Sequence, residues 1–435
     1  MTRHVILGCG VAGVAAVEAI RSADPSAQIT LVADDAHGFY SRPGLAYYLS
    51  GELPEKQLYI FSPQDWQALQ VGFVHSHATR ILPGEHRLEL GSAGTLTYDR
   101  LLLASGATSM RLDLPGADLQ GVVHLDDLED TRRILHMARR GRTAVVVGGG
   151  ILALELVEGL RAHGMQVHFF LRGERYWTAV LDEAESRLVE DRLRHEGVHI
   201  HAHTEIAEIL GRKNKVQAVR TTRGEVLPCS MVACGIGVRP RIELAQEAGL
   251  ATERGILVDE RLQTSAQDIY AAGDVAQVYD PLSGKKLLDL LWLPARRHGE
   301  TAGANMTGQQ RTYQRAVAVN VLRLAGIMTS IIGAVGSSRT DEVTMTRGSS
   351  ETWQPMPGTI AVASGGGVNL LRLLVDETTI RGAVVMGEQT LSLPLQELIS
   401  TQADISSIRA QLLSRNELAG QILLDFWVAR NANNV

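Results

Sequence analysis

Val5-Ile6-Leu7-Gly8-Cys9-Gly10-Val11-Ala12-Gly13 sets out a short β-branched strand, a G-x-G-x-x-G turn and the start of a helix that runs through Ile20. Gln28-Ile29-Thr30-Leu31-Val32 reads as a second buried strand. The plan returns at Val145-Val146-Val147, followed by Gly148-Gly149-Gly150-Ile151-Leu152-Ala153, a helix through Ala162 and the strand Gln166-Val167-His168-Phe169-Phe170. Glycine patterns arise by chance in a chain with 43 glycines among 435 residues. A strand before and a helix after make each copy specific. The first glycine permits a tight turn, the second lets the backbone approach a pyrophosphate, and a small third residue lets helix and strand pack. The helix N-terminus then offers free N–H groups to the phosphates.

Each copy has a later partner. Leu101-Leu102-Leu103-Ala104-Ser105-Gly106 follows the first and Met231-Val232-Ala233-Cys234-Gly235 the second. A third strand end, Ile269-Tyr270-Ala271-Ala272-Gly273-Asp274, adds an acid. Alternating strands and helices predict an α/β fold with two Rossmann-like parallel sheets and ligands at the strand carboxyl ends. After about Gln310 the pattern changes to strand-like runs at 359–363, 370–374 and 382–385, with helices only near the end. That predicts an α+β domain. The expected division is a discontinuous first dinucleotide domain over 1–112 and 246–312, a second dinucleotide domain over 113–245, and a C-terminal domain over 313–435.

Composition excludes several classes. Apolar residues are 45% and charged residues 21% of the chain, the balance of a folded globular protein. A net charge of −6 gives no basic field for nucleic acid or an anionic membrane. The N-terminus enters a strand with no leader. The apolar stretch 316–335 is interrupted by Asn320, Arg323, Gly326 and Gly333, so it reads as buried strands and turns. The expectation is a soluble, cytoplasmic protein. Cys9, Cys229 and Cys234 are too few and scattered for a disulfide framework or a metal cage and fit a reducing compartment. Cys229 and Cys234 read as one strand pointing to opposite faces, and Cys9 as a filler inside the loop. His199, His201 and His203 alternate as on a strand face, with no carboxylate or cysteine arranged around them. No metal site is expected.

Two dinucleotide units, the Ala-Ser-Gly and Ala-Cys-Gly strand ends and Tyr-Ala-Ala-Gly-Asp together resemble the pyridine nucleotide–disulfide oxidoreductase superfamily of flavoproteins, with specific motifs to about residue 310. The resemblance implies FAD on the first unit, with Gly8, Gly10 and Gly13 at its pyrophosphate, Asp34 at the adenosine ribose and Ala78 at the adenine. Ser105 and Gly106 close over it, and Asp274 after Gly273 meets the ribityl chain. It implies NADPH or NADH on the second unit, at Gly148, Gly150, Ala153 and Gly235. The final domain would serve as a homodimer interface.

Phe39-Tyr-Ser-Arg-Pro-Gly-Leu-Ala-Tyr-Tyr-Leu49 separates the branches. Where NADH oxidases and coenzyme A–disulfide reductases of this superfamily carry a redox cysteine, this chain has Pro43. Arg42-Pro43-x-Leu resembles ferredoxin and rubredoxin reductases and, more loosely, the flavin region of nitrite reductases. Arg42 would lie by the FAD phosphates or adenine. Those reductases follow with a lysine near the flavin; Tyr47 stands here, which puts a lysine–glutamate pair in doubt. Glu155 matches the family glutamate near the nicotinamide. Pro294 begins an expected helix whose N-terminus would stabilise reduced flavin, with Trp292 at the flavin edge.

The expected activity is electron transfer from the nicotinamide through FAD, without a cysteine relay, to an external acceptor such as a redox protein. An acid usually ends the second strand of an NAD-binding unit. Here the slot holds Leu171, with Arg172 and Arg175 following, which favours the 2′-phosphate of NADPH. Two alternatives stay open: a non-catalytic flavoprotein sensor or assembly subunit, and a membrane-associated quinone reductase using the apolar stretch 418–428 as an amphipathic helix.

Overall fold

The computed structural model describes residues 1–91, 93–281, 283–336, 345–353 and 356–432, and the chain divides into two compact units. The first comprises 1–110, 125–136 and 237–315; the second comprises 111–124, 137–236 and 316–435.

The first unit is built on a five-stranded sheet in the order Ile269–Ala271, Arg100–Leu103, Arg3–Leu7, Gln28–Ala33, Gly72–His75. All four pairings are parallel. Parallel strands buried on both faces need continuous apolar runs. Ile6, Leu31, Leu101 and Leu102 are accordingly fully buried.

The helix Val11–Ala23 covers this sheet and presents a line of small residues. The helix Trp292–Met306 crosses it so closely that a β-carbon on Gly299 would lie 2.1 Å from the Ala12 carbonyl oxygen. The expected start at Pro294 moves two residues earlier, to Trp292. Proline is tolerated in a first helical turn, where its missing N–H has no intrahelical partner to lose.

The second unit repeats the sheet in the order His199–His201, Gln166–Phe170, Thr143–Val147, Met231–Cys234, Val122–His124, again all parallel. A five-stranded antiparallel sheet belongs to the same unit, in the order Val319–Leu324, Ile327–Gly333, Ile380–Met386, Asn369–Val375, Ile360–Gly366. The stretch 316–335 supplies its first hairpin, turning at Ala325-Gly326. Leu395, Leu398, Leu412 and Leu423 of the C-terminal helices, with Ile405 at the start of Ser406–Ser414, pack on this sheet.

The terminal helix Ala419–Ala432 is docked on its own domain. Leu423 is fully buried, Ile422, Phe426 and Trp427 lean on the same core, and Trp427 donates its indole N–H to Glu397 at 2.8 Å. Among the described residues no helix is long and apolar enough to cross a membrane.

Candidate functional site

The first glycine loop follows Leu7 at the carboxyl end of the central strand. Gly8 has a φ of +118°, and a β-carbon there would lie 2.1 Å from the carbonyl oxygen of Ala104, just past the neighbouring strand Arg100–Leu103. A β-carbon on Gly13 would lie 2.0 Å from the Gly8 carbonyl oxygen. These two glycines are required by the protein's own packing. Gly10 differs: a β-carbon there meets no heavy atom within 4 Å. It is the N-cap of Val11–Ala23 and no side chain caps the helix. Free N–H groups at a helix start, beside a surface clear of protein atoms, fit a pyrophosphate.

The other first-unit candidates lie around the ends of these strands. Asp34 directly follows the strand Gln28–Ala33, with an exposed carboxylate 3.4 Å from His77 Nδ1. Its neighbour Asp35 is engaged, accepting from the Tyr40 hydroxyl at 2.9 Å and the His37 N–H at 2.9 Å. Arg42 donates to the Asp126 carbonyl at 2.7 Å and lies 3.8 Å from Asp35. Pro43 precedes the short helix Gly44–Ser50, on which Tyr47 is 40% exposed. Ala78 is buried at the start of Ala78–Leu82. Ser105 donates to the Arg241 carbonyl at 3.0 Å, and Gly106 accepts the Arg241 N–H at 2.9 Å.

Gly273 and Asp274 form a one-turn helix directly after the strand Ile269–Ala271. The Gly273 N–H donates to Nδ1 of His298 at 3.3 Å, a residue the sequence reading did not single out. His298 is fully buried, and burial pushes its imidazole down to about 4, so Nδ1 is an acceptor at neutral pH. Trp292 and Pro294 occupy the first turn of the crossing helix, Trp292 being 39% exposed.

The second glycine loop repeats the packing of the first. A β-carbon on Gly148 would lie 2.1 Å from the Gly235 carbonyl oxygen, and one on Gly235 would lie 2.6 Å from Ala153 Cα. Ala153 therefore fills the small-residue slot against the neighbouring strand end. At Gly150 the likeness ends, because a β-carbon there would lie 2.7 Å from Thr346 Cγ2.

Glu155 follows on the helix Ile151–Ala162 and pairs with Arg347 at 3.3 Å, both largely buried. Burial pushes the Glu155 carboxyl up, and Arg347 opposes the shift. Glu158, one turn on, is pushed up to about 8 by burial. Arg172 is exposed just past Gln166–Phe170, whereas Arg175 turns to Glu174.

All three cysteines are unpaired thiols. Burial pushes each of them up to about 12, which leaves no thiolate near neutrality. The strand Met231–Cys234 begins after Cys229, so the two cysteines do not share a strand as expected. His199 and His201 do share one, while His203 lies outside it. The third member of the observed group is His168, whose Nδ1 is 2.9 Å from His201 Nε2. Among the described residues no group of three or more His, Cys, Asp or Glu could hold a metal ion.

Comparison with known proteins agrees with this architecture. Residues 2–306 match the family described as pyridine nucleotide-disulphide oxidoreductase. The chain is 31% identical over 310 residues to the biphenyl dioxygenase system ferredoxin–NAD(+) reductase component of Paraburkholderia xenovorans, covering 70% of this chain and 74% of that protein. It is 24% identical over 408 residues to the NADH-rubredoxin oxidoreductase of Clostridium acetobutylicum, covering 94% and 97%. In fold it superposes with a TM-score of 0.82 on a chain of the covalent putidaredoxin reductase–putidaredoxin complex, at 23% identity and covering 92% and 93%. With two dinucleotide sheets, an uncapped loop clear at Gly10 and this breadth of likeness, the chain belongs to the pyridine nucleotide-disulphide oxidoreductase family and is an oxidoreductase whose cofactors are FAD and a pyridine nucleotide.

Proposed function

We propose that this protein carries electrons from NADPH or NADH, through FAD on the first unit, directly to an external redox protein of the ferredoxin or rubredoxin kind. The observation that carries the reading is the state of its cysteines: unpaired thiols, two buried and Cys9 half-buried, all pushed well above neutrality, with Pro43 where a redox cysteine would stand. The names of the relatives, a ferredoxin reductase component and a rubredoxin oxidoreductase, support the choice of acceptor.

Bound FAD would supply the hydride-accepting and electron-releasing chemistry. In this proposal the protein's own groups bind and orient. Gly8, Gly10 and Gly13 shape the pyrophosphate cradle, Asp34 receives the ribose hydroxyls, and Asp274 meets the ribityl chain. The first turn of Trp292–Met306 directs its positive end at the flavin, where a growing negative charge is stabilised. Glu155 positions the nicotinamide end of the second cofactor. A homodimer through 313–435 belongs to the same proposal, and sedimentation measures it.

The test is an anaerobic titration of the FAD-loaded protein with NADPH and with NADH, followed by addition of a ferredoxin or a rubredoxin. The expected result is full bleaching of the flavin by two electrons with no long-wavelength thiolate–flavin band, and re-oxidation by the redox protein. Appearance of that band would refute the direct route. Absence of bleaching with either nucleotide would favour a sensor subunit.

A further inference from the structure

The two glycine loops share their packing but not their surroundings, and the difference lies at the glycine that faces a pyrophosphate. A β-carbon built on Gly10 would meet no described heavy atom within 4 Å beyond its chain neighbours, whereas one built on Gly150 would lie 2.7 Å from Thr346 Cγ2. Thr346 is only 3% exposed. It belongs to the segment 345–350, which one ion pair ties to the helix of the second loop, one hydrogen bond ties to the strand Val319–Leu324, and an internal clasp shapes. Arg347 pairs with Glu155 at 3.3 Å. The Asn320 side-chain amide donates to the Gly348 carbonyl at 2.7 Å. Thr346 and Ser349 clasp each other, with the Thr346 N–H donating to Ser349 Oγ at 2.9 Å and Ser349 Oγ donating to the Thr346 carbonyl at 2.7 Å.

We propose that Thr346-Arg347-Gly348 is a strap over the second phosphate loop, latched by Arg347 on Glu155, which a pyridine nucleotide must lift before its pyrophosphate can reach Gly150. The inference rests on the reading of the second unit as the nucleotide site. It follows from exclusion: a threonine methyl group in contact with Gly150 and a pyrophosphate approaching the same backbone cannot share that space. The strap also accounts for Glu155 in a chain with Tyr47 in place of a lysine. The glutamate has a cation, supplied from 192 residues away.

A strap that must open lowers the apparent nucleotide affinity by the fraction of molecules in the open state. Loosening it therefore tightens binding. The test measures Kd for NADPH and NADH on the FAD-loaded protein and on its Asn320→Ala and Arg347→Gln variants. It also follows hydrogen–deuterium exchange of 345–350 with and without nucleotide. Asn320 bonds Gly348 while Arg347 bonds Glu155, so the Asn320 variant reports the strap even if Arg347→Gln disturbs folding around the buried Glu155. One hydrogen bond lost from the closed state should tighten binding by about fivefold. Saturating nucleotide should speed exchange in the strap. Unchanged or weaker binding in both variants, or slower exchange on binding, would overturn the strap while leaving the nucleotide site standing. Failure of wild type and both variants to bind either nucleotide would overturn the site reading and the strap with it.

Discussion

Arg372 and Glu185 form a two-pronged ion pair, Nε to Oε1 at 2.9 Å and Nη2 to Oε2 at 3.0 Å, with side chains 5% and 2% exposed. The arginine belongs to the antiparallel sheet and the glutamate to the first turn of Glu183–His195. Arg372 also donates to the Val335 carbonyl at 2.7 Å and the Val180 carbonyl at 2.6 Å. A buried carboxylate is tolerable only while its partner is present. Arg372→Ala should cost about 3–5 kcal/mol, read as a fall in the urea midpoint. Arg372→Met with Glu185→Leu should recover most of that, because the charge left behind is Asp182, 3.7 Å from Arg372 Nε and 31% exposed to water. Equal loss in the single and double variants would show that the two carbonyl contacts, not the ion pair, matter.

The glycines of the first loop divide by role, and alanine separates them. Gly13→Ala places a methyl group 2.0 Å from the Gly8 carbonyl oxygen, so it should lower the stability of the apoprotein and its flavin content together. Gly10→Ala meets no protein atom. It should change apoprotein stability by less than about 1 kcal/mol, the range of helix-cap exchanges. FAD affinity should still fall by about tenfold or more, as when one charge-assisted hydrogen bond is lost. Melting curves of the apoprotein and flavin absorbance per chain give the two readouts. Full flavin retention in Gly10→Ala would remove this loop from the FAD site.

The paired glycine loops are legible in the sequence because their signal is local: an apolar run, glycines at fixed offsets, then a helix. Ala153 as the small third residue could be read the same way, and it packs against Gly235 as that role requires. What local patterns do not carry is tertiary pairing. Arg347 and Glu155 are 192 residues apart, and no periodicity links them. The clue available was chemical, a glutamate on the phosphate-loop helix with Tyr47 in the expected lysine position. His298 was invisible for a similar reason. A histidine inside a helix reads as surface until the glycine it accepts from is placed beside it. Cys229 reads as part of the strand of Cys234 by composition, but its N–H donates to the Gln217 carbonyl of the strand Lys215–Thr221, in a different sheet.

Stability should depend on pH through His298. Burial holds its folded-state imidazole at about 4, against about 6.5 in an open chain. Between those values the unfolded chain takes up a proton that the folded one refuses. The stabilisation is therefore complete above about 6.5 and is lost as pH falls toward 4. Glu158 works in the opposite direction, since a carboxyl raised to about 8 loses stability as pH rises. Comparing wild type with His298→Asn cancels that contribution. The asparagine oxygen can still accept from the Gly273 N–H. The wild-type advantage in unfolding free energy should shrink by about 2–3 kcal/mol between pH 7 and pH 4.5. A difference independent of pH would show that His298 carries no such shift.

Nucleotide choice should turn on Arg172. It is exposed directly after the strand Gln166–Phe170, while buried Leu171 fills the slot where an acid would bind a ribose 2′-hydroxyl. Arg175 faces Glu174 and has less positive charge to offer. A 2′-phosphate therefore has one ready guanidinium to pair with, and a 2′-hydroxyl has no carboxylate at that slot. Arg172→Ala should lower kcat/KM for NADPH by about tenfold or more, the loss of one charge-assisted hydrogen bond, and leave NADH nearly unchanged. Leu171→Asp should shift preference toward NADH by restoring the acceptor and repelling the phosphate. If Arg172→Ala lowers both nucleotides equally, the arginine helps to hold the pyrophosphate or the fold and does not discriminate. If the wild-type protein prefers NADH, the 2′-phosphate assignment of Arg172 is wrong.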